Sequence, residues 1–503
     1  MTLRQLLPRL SGVRSAPEGL LATAELGART VTAVDYDSRL VRPGAVFVAL
    51  RGERFDGSEF AADAEAQGAL LVVASSPAPV GVQAPWIEVS DSRTALAELA
   101  AAFSGDPSHE LALVGVTGTN GKTTTTYLLA AIFEAAGCPC GQIGTVRYET
   151  GGRSEAAVRT TPEAPEIQAL LREMRDHDRR ACVMEVSSHA LALRRVDQIR
   201  FKSAVFSNLT RDHLDYHGDM SRYFGAKRRL FEMLPRGAPA VVNVDDPYGR
   251  QLAETAERPV TYAIDHAADV RPTRMDLGLE GTALELHTPR GPLQLTTSLL
   301  GRLNVYNVLA AVSTALALDL PLDAISRGVG LVADVPGRLE RVSGPADNIQ
   351  VLVDFAHTDD ALRAVLTTAR ALGSGRVISV FGCGGDRDPA KRPLMGAVAG
   401  RLSDLVVVTS DNPRTEDPAA IIADVERGLV SSSADEEVSH LAIVDRRRAI
   451  ERAVALAEPG DMVVVAGKGH ETEQVIGDER RPFDDRKIVA AALARRRRGA
   501  ASA

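Results

Sequence analysis

Short apolar runs alternate with stretches of helical period along most of the chain. GAVFVAL, ALLVVAS, LALVGVTG and DLVVVTS are apolar runs of the length expected for buried strands. SRTALAELAAAFSG and DDALRAVLTTARAL instead repeat their apolar residues every three to four positions, as amphipathic helices do. Strands that alternate with helices form parallel sheets covered by helices. The pattern therefore predicts an α/β fold.

The alternation falls into three blocks, which we interpret as domains at residues 1–106, 107–336 and 337–503. The first is predicted to be an N-terminal α/β domain. The second has a buried strand that runs into the glycine-rich turn TGTNGKTT (residues 117–124), and in this it resembles the parallel-sheet domain of phosphate-loop ATPases. A β-hairpin is predicted at ALELHTPRGPLQLTTSL from its period of two. The third is predicted to be Rossmann-like, so its ligands should gather at the carboxyl ends of its strands.

Composition narrows the class of protein. With 45% hydrophobic and 25% charged residues the chain is neither disordered nor fibrous, and a net charge of -8 argues against a nucleic-acid partner. No apolar run approaches the roughly 20 residues that span a bilayer, so we expect a cytoplasmic protein without a membrane partner. Four scattered cysteines predict reduced thiols rather than disulfides or structural zinc.

GVTGTNGKTTTTYLL carries the strongest local signal for function. It places a glycine-rich turn between a buried strand and a helix, where backbone N–H groups surround phosphate oxygens. Lys122 adds a positive charge for the phosphates, and Thr123 adds a hydroxyl for Mg²⁺. The strict pattern has glycine where this chain has Val116, and the alternative is a turn without a ligand. We predict nucleotide binding by Gly118, Thr119, Asn120, Gly121, Lys122, Thr123 and Thr124.

Polar side chains follow the next two predicted strands. Glu185 ends the run ACVMEV, where it could ligate Mg²⁺ or cap the following helix. Asp212, His213, Asp215 and His217 share one short loop, which could bind a metal or be an ordinary solvated loop. Composition alone favours an exposed helix face for Lys227. These alternatives stay open from the residues alone.

A set of motifs in a fixed order covers nearly the whole chain. They are DSRLVRPGAVFVAL, TGTNGKTT, EVSSHAL, NLTRDHLDYHG, AKRRLF, LNVYNVLAA, PGRLE, DFAHTDDAL, FGCGGDRD, KRPLMG, DNPR and GKGHE. Together they resemble the Mur ligases, and within that family the branch that adds the third amino acid of the peptidoglycan stem peptide. The resemblance implies that the first domain binds a UDP-sugar, the second ATP and the third an amino acid.

The activity that the resemblance implies is ATP-dependent ligation of diaminopimelate, with the meso isomer expected, to the D-glutamate of UDP-MurNAc-L-Ala-D-Glu. The reaction would pass through an acyl phosphate and need mainly neutralisation of negative charge. The family implies Lys122, His213 and Lys227 as catalytic residues, with Lys227 carbamylated by CO₂. A carbamate is an anionic oxygen ligand, whereas an ammonium would repel Mg²⁺. The implied metal ligands are Thr123, Glu185, His213 and Lys227.

Further positions follow from the resemblance alone. Those near the adenine and ribose of ATP are Asn304, Asn307, Arg338 and Asp354. Ser38 matches a position near the uracil, although without the resemblance it would be read as a turn cap. Thr160, Thr161, Ser187 and Arg195 match residues that hold the muramoyl peptide, although TTPE also reads as a helix start. We expect a monomer.

The chemistry of diaminopimelate predicts the residues that select it. Its second carboxylate calls for an arginine, and its second ammonium calls for an anion. SDNPRTED reads as a turn after a strand, and Arg414 in it suits the carboxylate. The amino-acid site is predicted to contain Arg387, Asp411, Asn412, Arg414, Gly467 and Glu471.

Three alternative functions stay open. A lysine- or ornithine-adding ligase of the same family would depart from the DNPR pattern, because an ammonium gives Arg414 nothing to bind. A folylpolyglutamate synthase-like ligase would not account for the DSRLVRPG block. A non-catalytic nucleotide-binding regulator would be expected to lose the phosphate and metal groups that this chain retains.

Overall fold

The computed structural model describes residues 1–17, 24–52, 55–432 and 439–501. In these residues the chain forms three large β-sheets, one in each sequence block, and each sheet packs against helices. The predicted α/β class is confirmed. The domain boundaries at 106/107 and 336/337 stay predictions.

The first block contains a five-stranded sheet with the order β1-β5-β4-β3-β2, in which only β1 runs antiparallel to its neighbour. Alternation of apolar strands with helices brings consecutive strands β2 to β5 side by side. The strands are β1 Val13–Ser15, β2 Ala33–Asp35, β3 Ala45–Ala49, β4 Leu71–Ala74 and β5 Trp86–Val89. The helices are α1 Leu3–Leu6, α2 Ala24–Gly27, α3 Ala61–Ala66 and α4 Ser92–Ser104.

The second block contains an eight-stranded sheet with the order β13-β12-β11-β6-β10-β7-β8-β9, parallel from β13 to β7. The phosphate-loop strand β6 is central, between β10 and β11. The strands are β6 Ala112–Thr117, β7 Cys140–Ile143, β8 Arg147–Glu149, β9 Ser154–Ala156, β10 Ala181–Glu185, β11 Ser203–Phe206, β12 Ala240–Asn243 and β13 Pro259–Tyr262. The helices are α5 Lys122–Ala135, α6 Ala164–Asp176, α7 Ser188–Ala192, α8 Leu214–His217, α9 Met220–Glu232, α10 Pro247–Thr255, α11 Gly301–Ala317 and α12 Leu322–Leu331.

A small antiparallel sheet precedes α11. The predicted hairpin is confirmed as β15 Gly281–His287 and β16 Leu293–Thr297, and β14 Arg271–Gly278 adds a third strand on the other side of β15. Sequence reasoning missed β14 because most of its residues are at least partly exposed, so it lacks a regular apolar alternation. The inward leucines of β15 and β16 join the core formed by α5, α11 and α12.

The third block contains a six-stranded sheet with the order β17-β18-β22-β19-β20-β21, parallel except at β17. A separate hairpin follows β22. The strands are β17 Glu340–Arg341, β18 Gln350–Asp354, β19 Val377–Phe381, β20 Leu405–Thr409, β21 His440–Ile443, β22 Met462–Ala466, β23 Glu473–Ile476 and β24 Glu479–Pro482. The helices are α13 Asp359–Leu372, α14 Lys391–Leu402, α15 Pro418–Ser432, α16 Arg446–Leu456 and α17 Asp485–Ala501.

Apolar side chains on both faces of each parallel sheet explain the unbroken apolar runs. Val463 and Val465 of β22 join one core cluster while Val464 and Ala466 join the cluster on the other face. Strands buried on both sides need apolar residues at every position. The arginine run near residue 495 lies in the last helix, α17, and Arg495 pairs there with Glu451. None of the helices in the described ranges is long and apolar enough to cross a membrane.

A fully buried ion pair lies beneath the carboxyl ends of the third sheet. Arg446, the first residue of α16, donates from Nε and Nη2 to the Asp485 carboxylate at 2.9 and 2.7 Å. The same guanidinium donates from Nη2 to the carbonyl of Ala466, at the end of β22. Both side chains are completely buried. The pair therefore joins α16, α17 and the end of a central strand.

Asp485→Ala is expected to lower the free energy of unfolding by about 3–5 kcal/mol, because the Arg446 charge would stay buried without its partner. Equilibrium unfolding in urea measures the change. Glu479→Ala serves as the control, since it breaks the exposed pair with Arg481 and is expected to have no measurable effect. Equal effects of the two substitutions would contradict the prediction.

Candidate active site

A cavity of about 1040 Å³ lies between the second and third sheets. Its walls come from the residues that follow the carboxyl ends of β6, β10, β11 and β12 in one sheet and of β18, β19, β20 and β22 in the other. Ligands of open α/β sheets bind at these ends. The predicted site residues that line it are Thr119, Asn120, Gly121, Lys122, Thr123, Thr124, Thr160, Glu185, Ser187, His213, Asn304, Asn307, Arg338, Asp354, Arg387, Asp411, Asn412, Arg414, Gly467 and Glu471.

The phosphate loop fits tightly against the residue that follows β11 and against helix α11. Gly118 has φ of +148° and Gly121 has φ of +87°. A Cβ on Gly118 would lie 1.9 Å from Ser207 Oγ, and one on Gly121 would lie 2.3 Å from Asn307 Oδ1. Both positions therefore require glycine, for space as well as for backbone conformation. The residues from Thr119 to Thr124 line the cavity.

Lys122 and Thr123 open helix α5 directly after the loop. Lys122 Nζ donates to the carbonyls of Gly118 and Thr119 at 3.0 and 2.8 Å. Burial lowers the pKa of Lys122, although Glu185 opposes the effect. Thr123 Oγ1 accepts from Arg338 Nη2 at 3.1 Å. Arg338 thus joins the third block to the phosphate loop.

Lys227 is buried, which corrects the interpretation of an exposed helix face. Its side chain is only 1% exposed, and Nζ donates to the Gly118 carbonyl at 2.7 Å. The ammonium also lies 4.7 Å from the centre of the Tyr223 ring. Burial, and then the positive charge of Lys122, hold the pKa of Lys227 well below its usual value. The side chain of Lys227 thus places a buried amine directly behind the phosphate loop.

Glu185 is not a helix cap. It ends β10 and is 1% exposed, whereas Ser187 caps α7 by accepting from the Ala190 N–H. The Glu185 carboxylate accepts from the backbone N–H of Thr145 at 2.7 Å and from its hydroxyl at 2.9 Å. These bonds fix a carboxylate at the cavity wall, at the end of the strand that pairs directly with β6.

Aromatic and imidazole rings lie close together around the polar loop that follows β11. His213 has positive φ and precedes α8, and its ring centre lies 4.7 Å from that of His189. Desolvation lowers the pKa of His213 to about 4, so the imidazole is neutral and can ligate a metal. His217 is buried instead, with Nε2 at 3.0 Å from Ser188 Oγ. Asp212 lines the cavity and lies 3.2 Å from His213 Nε2.

The predicted metal ligands have the chemistry to bind Mg²⁺, but they do not surround a preformed metal site. Throughout the described ranges, no three His, Cys, Asp or Glu side chains are grouped so as to hold a metal ion. Thr123, Glu185 and His213 line the cavity, and Lys227 lies behind Gly118. Mg²⁺ binds through one or two protein oxygens together with substrate phosphates, so this sparse set fits it.

The residues predicted near the adenine and ribose form two groups. Asn304 and Asn307 lie on one face of α11, joined by a bond of 3.0 Å from Asn307 Nδ2 to Asn304 Oδ1. Asp354 ends β18 and accepts from the N–H groups of Leu339 and Ala356 at 2.7 Å each. Asp354 thereby fixes the segment that carries Arg338. The guanidinium carbon of Arg338 lies 4.6 Å from the centre of the Phe355 ring.

The residues predicted for the muramoyl peptide form a chain of contacts. Thr160 Oγ1 lies 3.1 Å from Thr145 Oγ1, and Thr161 Oγ1 accepts from the Ser187 N–H at 3.1 Å. Arg195 donates to the Thr161 carbonyl at 3.0 Å. Thr161 therefore lies one contact behind the cavity wall, and Arg195 lies behind Thr161.

Two predictions about this region need correction. Helix α6 begins at Ala164, so TTPE precedes the helix and the early proline is Pro165. Ser38 is buried in the first block at the start of a 3₁₀ turn, and it is Asp37 that caps this turn. Ser38 does not line the cavity. The structure thus does not bring Ser38 together with the other predicted residues.

SDNPRTED is a turn that holds side chains against the loop after β22. Asn412 Nδ2 donates to Glu471 Oε2 at 2.9 Å. Arg414 has φ of +52°, and its Nη1 donates to the Gly385 carbonyl at 2.6 Å. A Cβ on Gly467 would lie 2.4 Å from Asp411 Oδ2, so glycine is needed for the two loops to meet. Arg387 is exposed at the cavity wall.

Sequence reasoning missed several residues that support these side chains. Lys468 is completely buried and donates to both Asn412 and Glu471. Thr145 holds Glu185, and Lys391 Nζ donates to the His357 carbonyl in the cavity wall at 2.9 Å. Lys468 lies in the motif GKGHE, between the predicted site residues Gly467 and Glu471. This position in the sequence could have identified it as part of the site. Thr145 lies in a segment with no pattern of its own.

Family profiles match the three sequence blocks. The Mur ligase family catalytic domain matches residues 30–104, the Mur ligase middle domain matches residues 116–315, and the Mur ligase glutamate ligase domain matches residues 337–469. A curated relative from Geobacter metallireducens is 48% identical over 476 residues, which cover 91% of this chain and 93% of that protein. The chain belongs to the Mur ligase family. The resemblance inferred from the motifs is confirmed.

Named relatives and solved structures agree with this membership. The Geobacter protein is named UDP-N-acetylmuramoyl-L-alanyl-D-glutamate–2,6-diaminopimelate ligase. A solved structure with that same enzyme name is 32% identical, with a TM-score of 0.67 and coverage of 99% of each chain. A folylpolyglutamate synthase from Mycobacterium tuberculosis is 19% identical with a TM-score of 0.60, covering 80% of this chain and 94% of its own. The last likeness shows a shared fold alone.

Gly118→Ala is expected to weaken nucleotide binding about ten-fold or more, which corresponds to about 1.4 kcal/mol. The added methyl would meet Ser207 Oγ, so the loop must move away from its phosphate-facing position. Titration with a fluorescent ATP analogue measures the affinity. Gly225→Ala is the matched control, because a Cβ there meets nothing within 4 Å. Unchanged affinity in Gly118→Ala would refute this account of the loop.

Proposed function

We propose that the protein is an ATP-dependent ligase that joins diaminopimelate to the D-glutamate of UDP-MurNAc-L-Ala-D-Glu. One observation carries the proposal: the phosphate loop and the Asn412–Arg414–Glu471 group open into the same cavity. A phosphorylated carboxylate and an incoming amino acid could therefore meet in one space. The names of relatives at 44–48% identity support the same activity.

The first step phosphorylates the substrate. An oxygen of the D-glutamate carboxylate attacks the γ-phosphorus of ATP, the bond from that phosphorus to the bridging oxygen breaks, and ADP leaves. Backbone N–H groups of the phosphate loop hold the phosphates, and Lys122 places a positive charge beside them. Arg338, fixed on Thr123, adds a second positive charge from the opposite wall. Positioning and charge neutralisation are the main demands of such a step.

The second step forms the amide. The amine of the amino acid attacks the acyl carbon, the carbon–oxygen bond to the phosphate breaks, and phosphate leaves while the nitrogen loses a proton. The residues around Arg414 hold the far end of the amino acid. This arrangement leaves its reacting amine directed toward the acyl phosphate. Proximity in one cavity supplies much of the acceleration expected for such a reaction.

Mg²⁺ is the cofactor we propose, bound by Thr123, Glu185, His213 and a carbamate on Lys227. When bound, the ion neutralises charge on the phosphates. The buried position of Lys227 supports the modification, since a depressed pKa leaves a free amine that can add CO₂. The resulting anion would also be attracted by the positive charge of Lys122, which disfavours an ammonium at Lys227.

The amino-acid site favours diaminopimelate over lysine. Arg414 offers a guanidinium to a carboxylate, and Glu471 and Asp411 offer carboxylates to an ammonium. The side chain of lysine or ornithine ends in an ammonium without a carboxylate, and the positive charge of Arg414 would repel this ammonium. The retained phosphate and metal residues disfavour a non-catalytic regulator. The N-terminal match at residues 30–104 disfavours a folylpolyglutamate synthase.

A phosphate-release assay tests the proposal. With UDP-MurNAc-L-Ala-D-Glu and ATP present, the enzyme is expected to release phosphate with diaminopimelate and far less with lysine or ornithine. Separate arms with the meso and LL isomers identify the preferred stereochemistry. Release with lysine at the rate seen with diaminopimelate would favour the alternative ligase.

Lys227→Ala is expected to lower kcat about 100-fold or more, because an anionic ligand beside the phosphates would be lost. Added formate or acetate is expected to restore part of the rate by occupying the space of the carbamate. Lys202→Ala, at an exposed position in the same block, should keep full activity. Full activity of Lys227→Ala would refute the carbamate role.

Arg414→Ala is expected to raise KM for diaminopimelate about 10- to 100-fold, the range of a lost hydrogen bond to a charged group. KM for ATP and for the UDP-sugar should change little, since Arg414 lies in the turn after β20, on the wall formed by the third sheet, whereas the phosphate loop follows β6 on the wall formed by the second sheet. Steady-state kinetics with each substrate varied in turn separates these effects. Arg401→Ala, exposed on α14, is the control. An unchanged KM for diaminopimelate would contradict the assigned selectivity.

A further inference from the structure

Lys468 is a buried cation that touches the amino-acid site without lining the cavity. It follows β22 directly after Gly467, and its side chain is completely buried. Nζ donates to Asn412 Oδ1 at 3.0 Å and to Glu471 Oε2 at 2.7 Å. A lysine is costly to bury, and two acceptors at short distance offset that cost here.

These contacts fix which way the Asn412 amide faces. The Val475 N–H also donates to Asn412 Oδ1, at 3.0 Å. An ammonium and a backbone N–H are donors only, so the atom that faces both must be the amide oxygen. Nδ2 is therefore turned to Glu471, whose ionised carboxylate is an acceptor only. Of the two Nδ2 hydrogens, Glu471 uses one, and no second acceptor for Nδ2 occurs among the described residues, while Asn412 lines the cavity.

The same lysine orients Glu471. Oε2 accepts from both Lys468 and Asn412, and within the described residues Oε1 accepts no hydrogen bond. Glu471 lines the cavity with its side chain 33% exposed. The pair thus presents an N–H donor from Asn412 and a free carboxylate oxygen from Glu471. A donor next to an acceptor matches an amino-acid end that carries a carboxylate and an ammonium.

We propose that Lys468 is a positioning residue that sets the polarity of the amino-acid site. It holds the Asn412 amide so that nitrogen faces the substrate carboxylate, and it holds Glu471 so that one oxygen faces the substrate ammonium. Without Lys468, Asn412 Oδ1 loses one of its two donors and Glu471 Oε2 loses its charged partner. The inference rests on the proposed function, since it concerns the amino acid that this site takes.

Lys468→Met tests the inference, since it keeps most of the side-chain volume and removes the ammonium. We expect KM for diaminopimelate to rise about ten-fold or more, with KM for ATP and the UDP-sugar within about two-fold of wild type. Lys468→Gln can still donate to Asn412 Oδ1, so it should recover part of the loss. If Lys468→Met does not fold, Lys468→Gln alone is the test. KM for diaminopimelate is then expected to rise, with KM for ATP and the UDP-sugar within about two-fold of wild type.

A double substitution separates positioning from general damage. In the Asn412→Ala background, Lys468→Met is expected to raise KM for diaminopimelate by a smaller factor than in wild type, because part of what Lys468 holds is already gone. Equal factors in both backgrounds would overturn the inference. So would an equal rise in KM for all three substrates.

Arg376→Met is the matched control in the same domain. Arg376 bonds Asp461 at 2.7 Å, at the opposite end of β22 from Lys468. Loss of this ion pair is expected to lower stability and leave KM for diaminopimelate unchanged. A wild-type enzyme that does not use diaminopimelate would refute the proposed function itself. A wild-type enzyme that does, combined with an unaffected Lys468→Met variant, would overturn only the role of Lys468.

Discussion

Parallel pairing of strands is the constraint on which the rest of this protein depends. Parallel neighbours end at the same edge of a sheet, so the loops that follow them are forced together. In the second block this places the phosphate loop after β6 between Glu185 at the end of β10 and the polar loop after β11. In the third block it places the turn after β20 near the loop after β22. The cavity is the space between these two edges.

Buried amino and guanidinium groups are concentrated immediately behind that cavity. Lys227 lies behind the phosphate loop, Lys468 behind the amino-acid site, and Arg446 beneath the ends of the third sheet. Each group donates hydrogen bonds to backbone carbonyls or to side-chain oxygens. Burying charge is unfavourable unless its partners are well placed, and such positions give the surrounding loops a defined geometry. The two lysines therefore connect the folding of the loops to the chemistry proposed in front of them.

Glycines make the close approach of these loops feasible. Gly121 leaves room for Asn307 of α11, and Gly467 leaves room for Asp411. A side chain at either position would separate segments that are distant in sequence. Phe355 contributes in a different way, since its ring lies beneath the Arg338 guanidinium and helps to hold it toward Thr123. Small residues and one aromatic ring thus set the shape of the cavity where two sheets meet.

The sequence by itself determined the α/β class, most buried strands and the residues of the phosphate loop, because apolar runs and loop motifs are local patterns. Motif order determined the family. Tertiary structure decided what local patterns leave open: that Lys227 is buried, that Glu185 accepts from Thr145 instead of capping a helix, and that Lys468 links Asn412 to Glu471. Burial and hydrogen-bond partners depend on residues far apart in the chain, so they appear only once the strands are paired.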